Sequence, residues 1–300
     1  MLYHQPVLLQ ESLAGLAIKP QGVYVDLTFG GGGHTQAILS QLAGGRLLAF
    51  DQDQDAAQLA SELQNQAFTF IRANARFMQQ FLAFHGVSAV DGILADLGVS
   101  SHQLDTAARG FSTRLEALLD MRMDQESRCT AQEVINTYSL NQLTQLLKTY
   151  GEVRPAQAIA RAIVTTRAHQ PICTTGELKD VVQQFAPRGR SAKYLAQVFQ
   201  AFRIAVNDEL AALQAMLAQS AQLLKKGGRL VVIAYHSLED RLVKHFIKTG
   251  NFAGEAQKDV YGNLIRPLSP VCKKPITPTE QEVQANPRAR SAKLRIGERL

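Results

Sequence analysis

The stretch "VDLTFGGGGHTQAIL" (residues 25–39) places an acid, four consecutive glycines and the start of a predicted helix in one short segment. Such a loop lets a ligand approach the backbone closely. A loop that binds nucleoside triphosphates needs a lysine after its last glycine, but Gly33 is followed by His34 and Thr35. A dinucleotide turn needs a small residue where Thr35 stands, so that match is weak.

S-adenosylmethionine carries no phosphate and suits this pattern better. Asp26, Gly30 and Gly32 form D-x-x-x-G-x-G, in which the glycine turn closes around the methionine part of the ligand. Asp51 ends the next apolar run, where it can accept both ribose hydroxyls, and Asn74 ends the third run beside the adenine. Each acid alone is equally well explained as a helix N-cap, so the prediction rests on the whole set.

Two further residues could act on the group that accepts a methyl. Asp96 ends the fourth apolar run, in "ILADLGVSS". A carboxylate there can accept N–H bonds from an exocyclic amine and offset its developing positive charge. The structural alternative for Asp96 is a cap on the following turn. His236, in "AYHSLEDR", is a candidate proton acceptor, although a lone histidine is as often a hydrogen-bonded structural group.

Charge is distributed unevenly along the chain. Residues 1–98 carry 4 Lys/Arg against 8 Asp/Glu, whereas residues 225–300 carry 15 against 7. This asymmetry indicates a polyanionic partner that meets part of the surface, and a merely solvated basic surface is the alternative. The candidate RNA contacts are Arg154, Arg188, Arg190, Lys193, Arg288 and Arg290. Trp is absent, so one base flipped into a cleft is favoured over an extended stacking platform.

The cysteines and the start of the chain narrow the cellular setting. Cys129, Cys173 and Cys272 form no C-x-x-C pair, which argues against a disulfide framework or a zinc site. We therefore expect no metal. No signal-peptide pattern opens the sequence, and no apolar run approaches the roughly 18 residues of a membrane span. These features predict a cytoplasmic protein without a membrane contact.

Alternating strands and helices must position these residues. Four short apolar runs predict buried strands, at 22–27, 46–51, 68–74 and 90–98. Helical spacing separates them, at 33–43, 53–64 and 75–85. The alternation predicts an α/β fold with a mostly parallel sheet covered on both faces.

From 99 to 206 the sequence predicts helices only. Three of them begin with capping boxes, at Thr130, Ser139 and Thr174. A longer helix then ends at Gly227 and Gly228. The sheet resumes at 229–235, a mostly irregular segment occupies 267–287, and 291–299 form a final antiparallel edge strand. The sheet is therefore interrupted by a helical insertion.

Long motifs are distributed over nearly the whole chain. They include "TFGGGGH", "FDQD", "DGILADLGVSS", "LDMRMD", "FQAFRIAVNDEL", "HSLEDR" and "NPRARSAKLR". In these motifs the chain resembles the bacterial 16S rRNA cytosine-N4 methyltransferases of the RsmH (MraW) family. The resemblance implies a class I, Rossmann-like methyltransferase fold, with residues 1–98 and 207–300 as the methyltransferase domain. It implies that the all-helical insertion, 99–206, recognises the substrate.

The same resemblance implies the reaction and its site. The donor would be S-adenosylmethionine, and the acceptor the N4 amine of cytosine 1402 in the decoding region of 16S rRNA, within the 30S subunit. Carried over by position, the family's cofactor contacts are Gly32, Gly33, His34, Asp51, Asp96 and Gln103. The family's "NF" after the third strand is Asn74-Ala75 here. An aromatic ring against adenine is therefore missing, and Ala75 lines the pocket through its backbone.

Two other functions stay open as alternatives. One is an rRNA-binding ribosome-assembly factor that retains the fold without turnover, which the intact Asp51, Asp96 and Gln103 disfavour. The other is a nicotinamide-dependent oxidoreductase, which Thr35 and the lack of a separate substrate domain disfavour. The oligomeric state is also open, with a homodimer as one alternative.

Overall fold

The computed structural model describes residues 6–300 and divides the chain into two compact units. Within the described range, residues 6–98 and 210–300 form the first unit, and residues 99–209 form the second. The boundary between the end of the second unit and the resumed first unit, at 209/210, lies three residues after the predicted 206/207 boundary. Asn207 explains this difference, because its side chain accepts the Met123 amide and donates to the Met121 carbonyl.

The first unit is built on one seven-stranded sheet. Its strands are β1 (Val23–Asp26), β2 (Arg46–Asp51), β3 (Phe68–Arg72), β4 (Val90–Asp96), β5 (Leu224–Ala234), β6 (Leu268–Pro270) and β7 (Lys293–Arg299). Their order in the sheet is β3-β2-β1-β4-β5-β7-β6. Strands β1 to β5 are parallel, and β7 is antiparallel to both of its neighbours. This order is that of the class I methyltransferase fold. From β1 to β3 successive strands are added on one side of β1, and from β4 they are added on the other side, so β1 and β4 flank the switch point at which ligands of such sheets bind.

Thirteen α-helices lie in the described part of the chain. They are α1 (Leu9–Leu16), α2 (Gly33–Leu39), α3 (Gln54–Ser61), α4 (Met78–Phe84), α5 (Ser101–Asp105), α6 (Ala131–Thr137), α7 (Leu140–Thr149), α8 (Ala156–His169), α9 (Thr175–Gln183), α10 (Ser191–Asn207), α11 (Glu209–Leu223), α12 (Ser237–Thr249) and α13 (Glu280–Ala285). Helices α5 to α10 belong to the second unit.

Both faces of the sheet are covered, because successive side chains of a strand point to opposite faces. Ile93 and Ala95 of β4 lie in a core that α4, α11 and α12 complete. Leu94, between them, lies in a different core with α1 and α2. This burial on both faces explains why the central strands read as continuous apolar runs.

The second unit has its own core of helices α6 to α10. Leu195, Val198, Phe199 and Phe202 are buried there along one face of α10. Two predicted capping boxes, at α7 and α9, are complete. The third is half formed: the Thr130 hydroxyl accepts the Glu133 amide, but the Glu133 side chain does not accept the Thr130 amide.

Two predictions about the later strands are wrong. The helix before β5 ends at Leu223 and not at Gly227, which has φ +77° in a bulge where four residues of β5, 225–228, lie opposite Asp91 of β4. Strand β7 is not the edge, because Leu268–Pro270 pair outside it as β6. The segment 267–287 is mostly irregular, as predicted, although it contains β6 and α13.

Two compositional predictions can be compared with the described residues. The three cysteines are free thiols, consistent with a chain that has no disulfide framework. No helix within residues 6–300 combines the length and apolar character that a bilayer span requires. The first five residues, part of the segment in which no signal-peptide pattern occurs, lie outside the described range.

Candidate active site

The glycine loop lies between the carboxyl end of β1 and the start of α2. Gly32 is the N-cap residue of α2 and has φ +77°, a conformation that side chains other than glycine rarely adopt. A Cβ on Gly33 would lie 2.3 Å from Pro6 Cγ. These two glycines are therefore required by the turn and by the close approach of the chain at Pro6.

Asp26 supports this loop and is not itself exposed to a ligand. It is fully buried, and its Oδ1 accepts the Thr28 amide at 3.1 Å. Its Oδ2 accepts the Thr35 hydroxyl at 2.8 Å. Thr35, which breaks the dinucleotide motif, thus anchors the first turn of α2 to the end of β1.

Asp51 ends β2 and ties the glycine loop to the neighbouring strand. Its Oδ2 accepts the Gly30 amide at 2.8 Å, and its Oδ1 accepts the Asp53 amide at 2.9 Å. Burial raises the pKa of Asp51 to about 6, against the lowering effect of these two bonds. Asp53 is the residue that caps α3, so the N-cap alternative applies to Asp53 and not to Asp51.

Asn74 has a structural task that the sequence did not predict. Its Oδ1 accepts the Arg76 amide as the cap of a short 3-10 turn, and its Nδ2 donates to Gln52. Ala75, the first residue of that turn, is half-buried. Phe77, three residues after Asn74, is 45% exposed. The position of Asn74 beside a bound adenine stays a prediction.

Asp96 ends β4 and is the candidate for acting on the methyl acceptor. Its Oδ1 accepts the Tyr235 hydroxyl at 2.8 Å, and its Oδ2 lies 3.9 Å from His34 Nδ1. The side chain is 23% exposed. Burial raises the pKa of Asp96 to about 6, although His34 and Tyr235 act in the opposite direction. Asp96 is therefore ionised at neutral pH but close enough to its pKa to accept a proton.

His34 lies in the first turn of α2 and is 6% exposed. Burial lowers its pKa, while Asp96 and the Val7 backbone raise it by smaller amounts, so the ring is neutral at pH 7. Its Nε2 has no hydrogen-bond partner among residues 6–300. A buried polar atom left in this state is costly unless a ligand satisfies it.

His236 is the N-cap of α12. Its Nδ1 accepts the Glu239 amide at 3.4 Å, and the Glu239 carboxylate accepts the backbone amides of Tyr235 and His236. His236 Nε2 lies 3.1 Å from Glu239 Oε1 without hydrogen-bond geometry. An imidazole that accepts through Nδ1 carries its proton on Nε2, so neither nitrogen offers a lone pair to a substrate.

Gln103 belongs to the second unit. It is buried in α5, where it completes a capping box with Ser100. Its amide donates to Ser100 Oγ at 3.2 Å, and its side-chain oxygen accepts the Ser100 amide at 3.0 Å. A cofactor contact by Gln103 stays a prediction from the family resemblance.

The six candidate RNA contacts share high exposure and lie in three short segments. They are Arg154, Arg188, Arg190, Lys193, Arg288 and Arg290. Arg167, a basic residue of α8, differs from them because it donates to the carbonyls of Ile135 and Tyr138. Arg167 therefore holds the helical unit together and is not free for phosphates.

Tyr235 is the residue that sequence reasoning missed. It precedes His236 in the quoted "AYHSLEDR", but nothing in that string shows that its hydroxyl meets Asp96. The contact depends on the pairing of β4 with β5, which aligns Asp96 with Ile233. Only the strand register therefore identifies it.

Comparison with known proteins gives full-length matches. The MraW methylase family model matches residues 1–300. Ribosomal RNA small subunit methyltransferase H of Amoebophilus asiaticus is 63% identical over 297 residues, covering 99% of this chain and 96% of that protein. The protein of the same name from Cytophaga hutchinsonii is 55% identical over 298 residues, covering 99% and 100%. That of Flavobacterium johnsoniae is 53% identical over 301 residues, covering 100% and 99%. Methylases of this family depend on S-adenosylmethionine.

Proposed function

Because this chain belongs to the MraW methylase family, we propose that it transfers a methyl group from S-adenosylmethionine to the N4 amine of cytosine 1402 in small-subunit rRNA. The relatives carry small-subunit rRNA in their names and match nearly the whole chain. The observation that carries the proposal is Asp96, a partly exposed carboxylate with a pKa of about 6 at the switch point of the sheet.

The residues around the glycine loop fit the donor. His34 Nε2 is a buried polar atom that a ligand would satisfy, and Asp51 is an anionic acceptor at the end of the neighbouring strand. Each Asp51 oxygen accepts one backbone N–H and keeps a second lone pair for a ribose hydroxyl. Gly30, Gly32 and Gly33 would border the amino-acid part. When bound, the donor supplies an electrophilic methyl group on its sulfonium.

Asn74, Ala75 and Gln103 complete the proposed cofactor set with smaller contributions. The Asn74 amide is already used as a cap, so Asn74 and Ala75 would border the adenine mainly by shape and backbone. Since no aromatic ring stands at Ala75, adenine would have no stacking partner at that position. For Gln103, a cofactor contact rests on the family resemblance alone.

Asp96 would orient the acceptor. The lone pair of cytosine N4 is conjugated into the ring, which makes the amine a weak nucleophile. A carboxylate oxygen that accepts an N4 N–H bond favours the geometry in which the lone pair is localised and stabilises the positive charge that develops. With its pKa of about 6, Asp96 can also take the proton that N4 loses. Uracil, which has a carbonyl at this position, could not donate that bond.

His236 is the weaker candidate for the proton acceptor. Its Nδ1 is occupied as a cap and its Nε2 faces Glu239, so it would have to leave the start of α12 to accept a proton. A pH–rate profile of methyl transfer that is unchanged in His236→Ala, compared with the native protein, would remove His236 from the mechanism and leave Asp96.

The exposed basic residues would position the RNA. Arg154, Arg188, Arg190 and Lys193 lie on the helical unit, to which we assign substrate recognition, and Arg288 and Arg290 lie on the first unit. Such residues contact phosphates and do not read bases. The target cytosine would leave its stack to reach Asp96, as enzymes that act on bases require.

Methyl transfer to ribosomal particles tests this function directly. We would incubate 30S particles from a strain without the enzyme with methyl-labelled donor and the native chain, Asp96→Asn or Glu62→Gln, then digest the RNA to nucleosides. We expect N4-methylcytidine with the native chain, and with Glu62→Gln, which changes an exposed carboxylate of the same unit. Asp96→Asn should be slower by about 10²–10³-fold.

Two results would reject the proposal. One is label on a nucleoside other than cytidine. The other is RNA binding by the native chain without any label, which is the outcome that an assembly factor without turnover predicts. Running naked 16S rRNA beside 30S particles shows which of the two is the substrate.

A further inference from the structure

Strand register brings Tyr235 to Asp96. The residue opposite Asp96 on β5 is Ile233, and Tyr235 is two positions further along, so both point to the same face of the sheet. Leu94 lies two residues before Asp96, and Ile233 lies two residues before Tyr235. Both are buried in the same core, as expected for side chains on one face of the sheet. The resulting contact is a 2.8 Å hydrogen bond from the Tyr235 hydroxyl to Asp96 Oδ1.

A second contact fixes the backbone of Asp96. Its amide donates to the Thr28 hydroxyl at 2.6 Å, and Thr28 is bound in turn to Asp26. Thr28, just after β1, thus fixes the backbone of Asp96, and Tyr235, just after β5, fixes its side chain. Only Oδ2 keeps its full accepting capacity, since His34 Nδ1 is 3.9 Å away from it.

We propose that Tyr235 is a positioning residue for methyl transfer: its hydroxyl orients the Asp96 carboxylate through Oδ1 and leaves Oδ2 as the oxygen that meets the substrate amine. This inference deepens the proposed function and rests on it. It assigns no contact with the donor or the acceptor to Tyr235 itself. It makes Tyr235 act through Asp96 alone.

Among the groups around Asp96, the Tyr235 hydroxyl is the one that stabilises the charge of the carboxylate by a hydrogen bond. His34 faces it from α2, Asp26 from β1 and Glu239 from α12, and the two acids both disfavour its charge. His34 is neutral at pH 7, so it offsets little of that repulsion. The pKa of Tyr235 is raised by burial and by Asp96, so its hydroxyl remains a donor throughout the working range. Tyr235 is therefore the main donor to Asp96 near neutral pH.

A purely structural role for Tyr235 predicts something different. Its ring packs against the core shared with α1 and α2 and lies 3.7 Å from a Cβ built on Gly98. If only this packing mattered, Tyr235→Phe would retain it and behave like the native chain. The phenylalanine variant therefore separates the hydroxyl from the ring.

The first readout needs no substrate. In protein carrying ¹³C-labelled aspartate, the Asp96 carboxyl resonance is identified by its loss in Asp96→Asn and titrated in the native chain, Tyr235→Phe and Tyr261→Phe. Tyr261 is 86% exposed and serves as the control. We expect the Asp96 midpoint to rise by about one to two pH units in Tyr235→Phe only, as loss of a hydrogen bond to a charged group predicts. An unchanged midpoint overturns the proposal.

The second readout is the pH dependence of kcat for methyl transfer. In Tyr235→Phe the acidic limb should move up by the same one to two units, so that the loss is about 5- to 50-fold at pH 6 and is largely recovered at pH 8.5. An acidic limb that stays at its native position in Tyr235→Phe contradicts the proposal. In the Asp96→Asn background Tyr235→Phe should have almost no further effect, because Tyr235 acts through Asp96.

The two readouts separate the inference from the proposed function. If the native chain transfers no methyl to rRNA, the function fails while the carboxyl titration still tests the hydrogen bond. If the native chain is active and the Tyr235→Phe profile is native, the function stands and the inference fails.

Discussion

The carboxyl edge of the sheet and the basic surface of the helical unit hold their candidate residues in opposite ways. Residues that lie just beyond the strand ends donate hydrogen bonds to Asp51 and Asp96, and burial raises both of their pKa values to about 6. Arg188, Arg190 and Lys193 are exposed, and within residues 6–300 their side chains make no hydrogen bond or ion pair. The fold pre-organises the two acids and leaves the side chains of these three basic residues without fixed contacts.

The largest expected effect tests the pre-organised side of this comparison. Asp51→Ala removes the proposed ribose acceptor and the tie to Gly30, so donor affinity should fall about 100-fold, as loss of two hydrogen bonds to a charged group predicts. Calorimetric titration with S-adenosylhomocysteine measures it. Glu62→Ala, an exposed acid of the same unit, should bind as the native chain does. Native affinity in Asp51→Ala would mean that the acid serves the loop only.

The next effect tests the solvated side. Replacing Arg188, Arg190 and Lys193 together by Gln should raise KM for the RNA on the order of 30-fold with kcat unchanged. The slope of log affinity against log salt should become shallower by about 0.7 for each phosphate that the variant no longer neutralises.

The control for this triple variant removes equal charge elsewhere. Arg46, Lys226 and Lys244 are exposed on the first unit, and replacing all three by Gln should leave the salt slope unchanged. An equal change in both triple variants would reduce the basic clusters to a general effect of net charge.

Two arginines of one helix sharpen the comparison within the second unit. Arg167 of α8 donates to two backbone carbonyls, so Arg167→Gln should lower the free energy of unfolding by about 1.5 kcal/mol. Arg161, exposed on the same helix, should change it by less than about 0.5 kcal/mol when replaced by Gln. Urea denaturation measures both. Equal losses would contradict the structural role given to Arg167.

The smallest expected effect is the loss of folding stability caused by the buried charge of Asp96. Its folded pKa of about 6 lies above the unfolded value, so the folded state holds its proton more tightly, and stability is lost as pH rises from about 4 through about 6. Asp96→Asn keeps an acceptor for Tyr235 and carries no charge. It should be more stable than the native chain by about 1 kcal/mol at pH 8 and no more stable at pH 4. Thermal unfolding at both pH values provides the measurement, and a pH-independent difference would contradict the burial of this charge.

Most elements of the fold were predictable because their signals are local. The strands that end at Asp26, Asp51 and Asp96 are short apolar runs, and each is followed along the chain by a helix. Ser139 and Thr174 begin capping boxes, which mark the starts of two helices. The errors lie where long-range pairing overrides local pattern. Gly227 looks like a helix stop but lies in a bulge of β5, because the sheet pairs the chain on both sides of it.

The site was predictable in its residue types and less so in their tasks. Asp51 and Asp96 follow apolar runs at strand ends, which is where parallel sheets collect ligand-binding groups. Asn74 and His236 follow similar runs, but the structure uses both as caps. A cap and a ligand contact require the same polar residue at the same kind of position, so the sequence pattern cannot separate them.

The sequence by itself determined that this chain forms a mostly parallel sheet with a glycine loop suited to a donor without phosphate, and it identified the family. Those conclusions depend on residue type and spacing along the chain. Only the tertiary structure decided that Asp26 supports the loop, that Arg167 binds carbonyls and that Tyr235 meets Asp96. These depend on which strands become neighbours and in what register, and a shift of one residue would turn Tyr235 to the opposite face of the sheet.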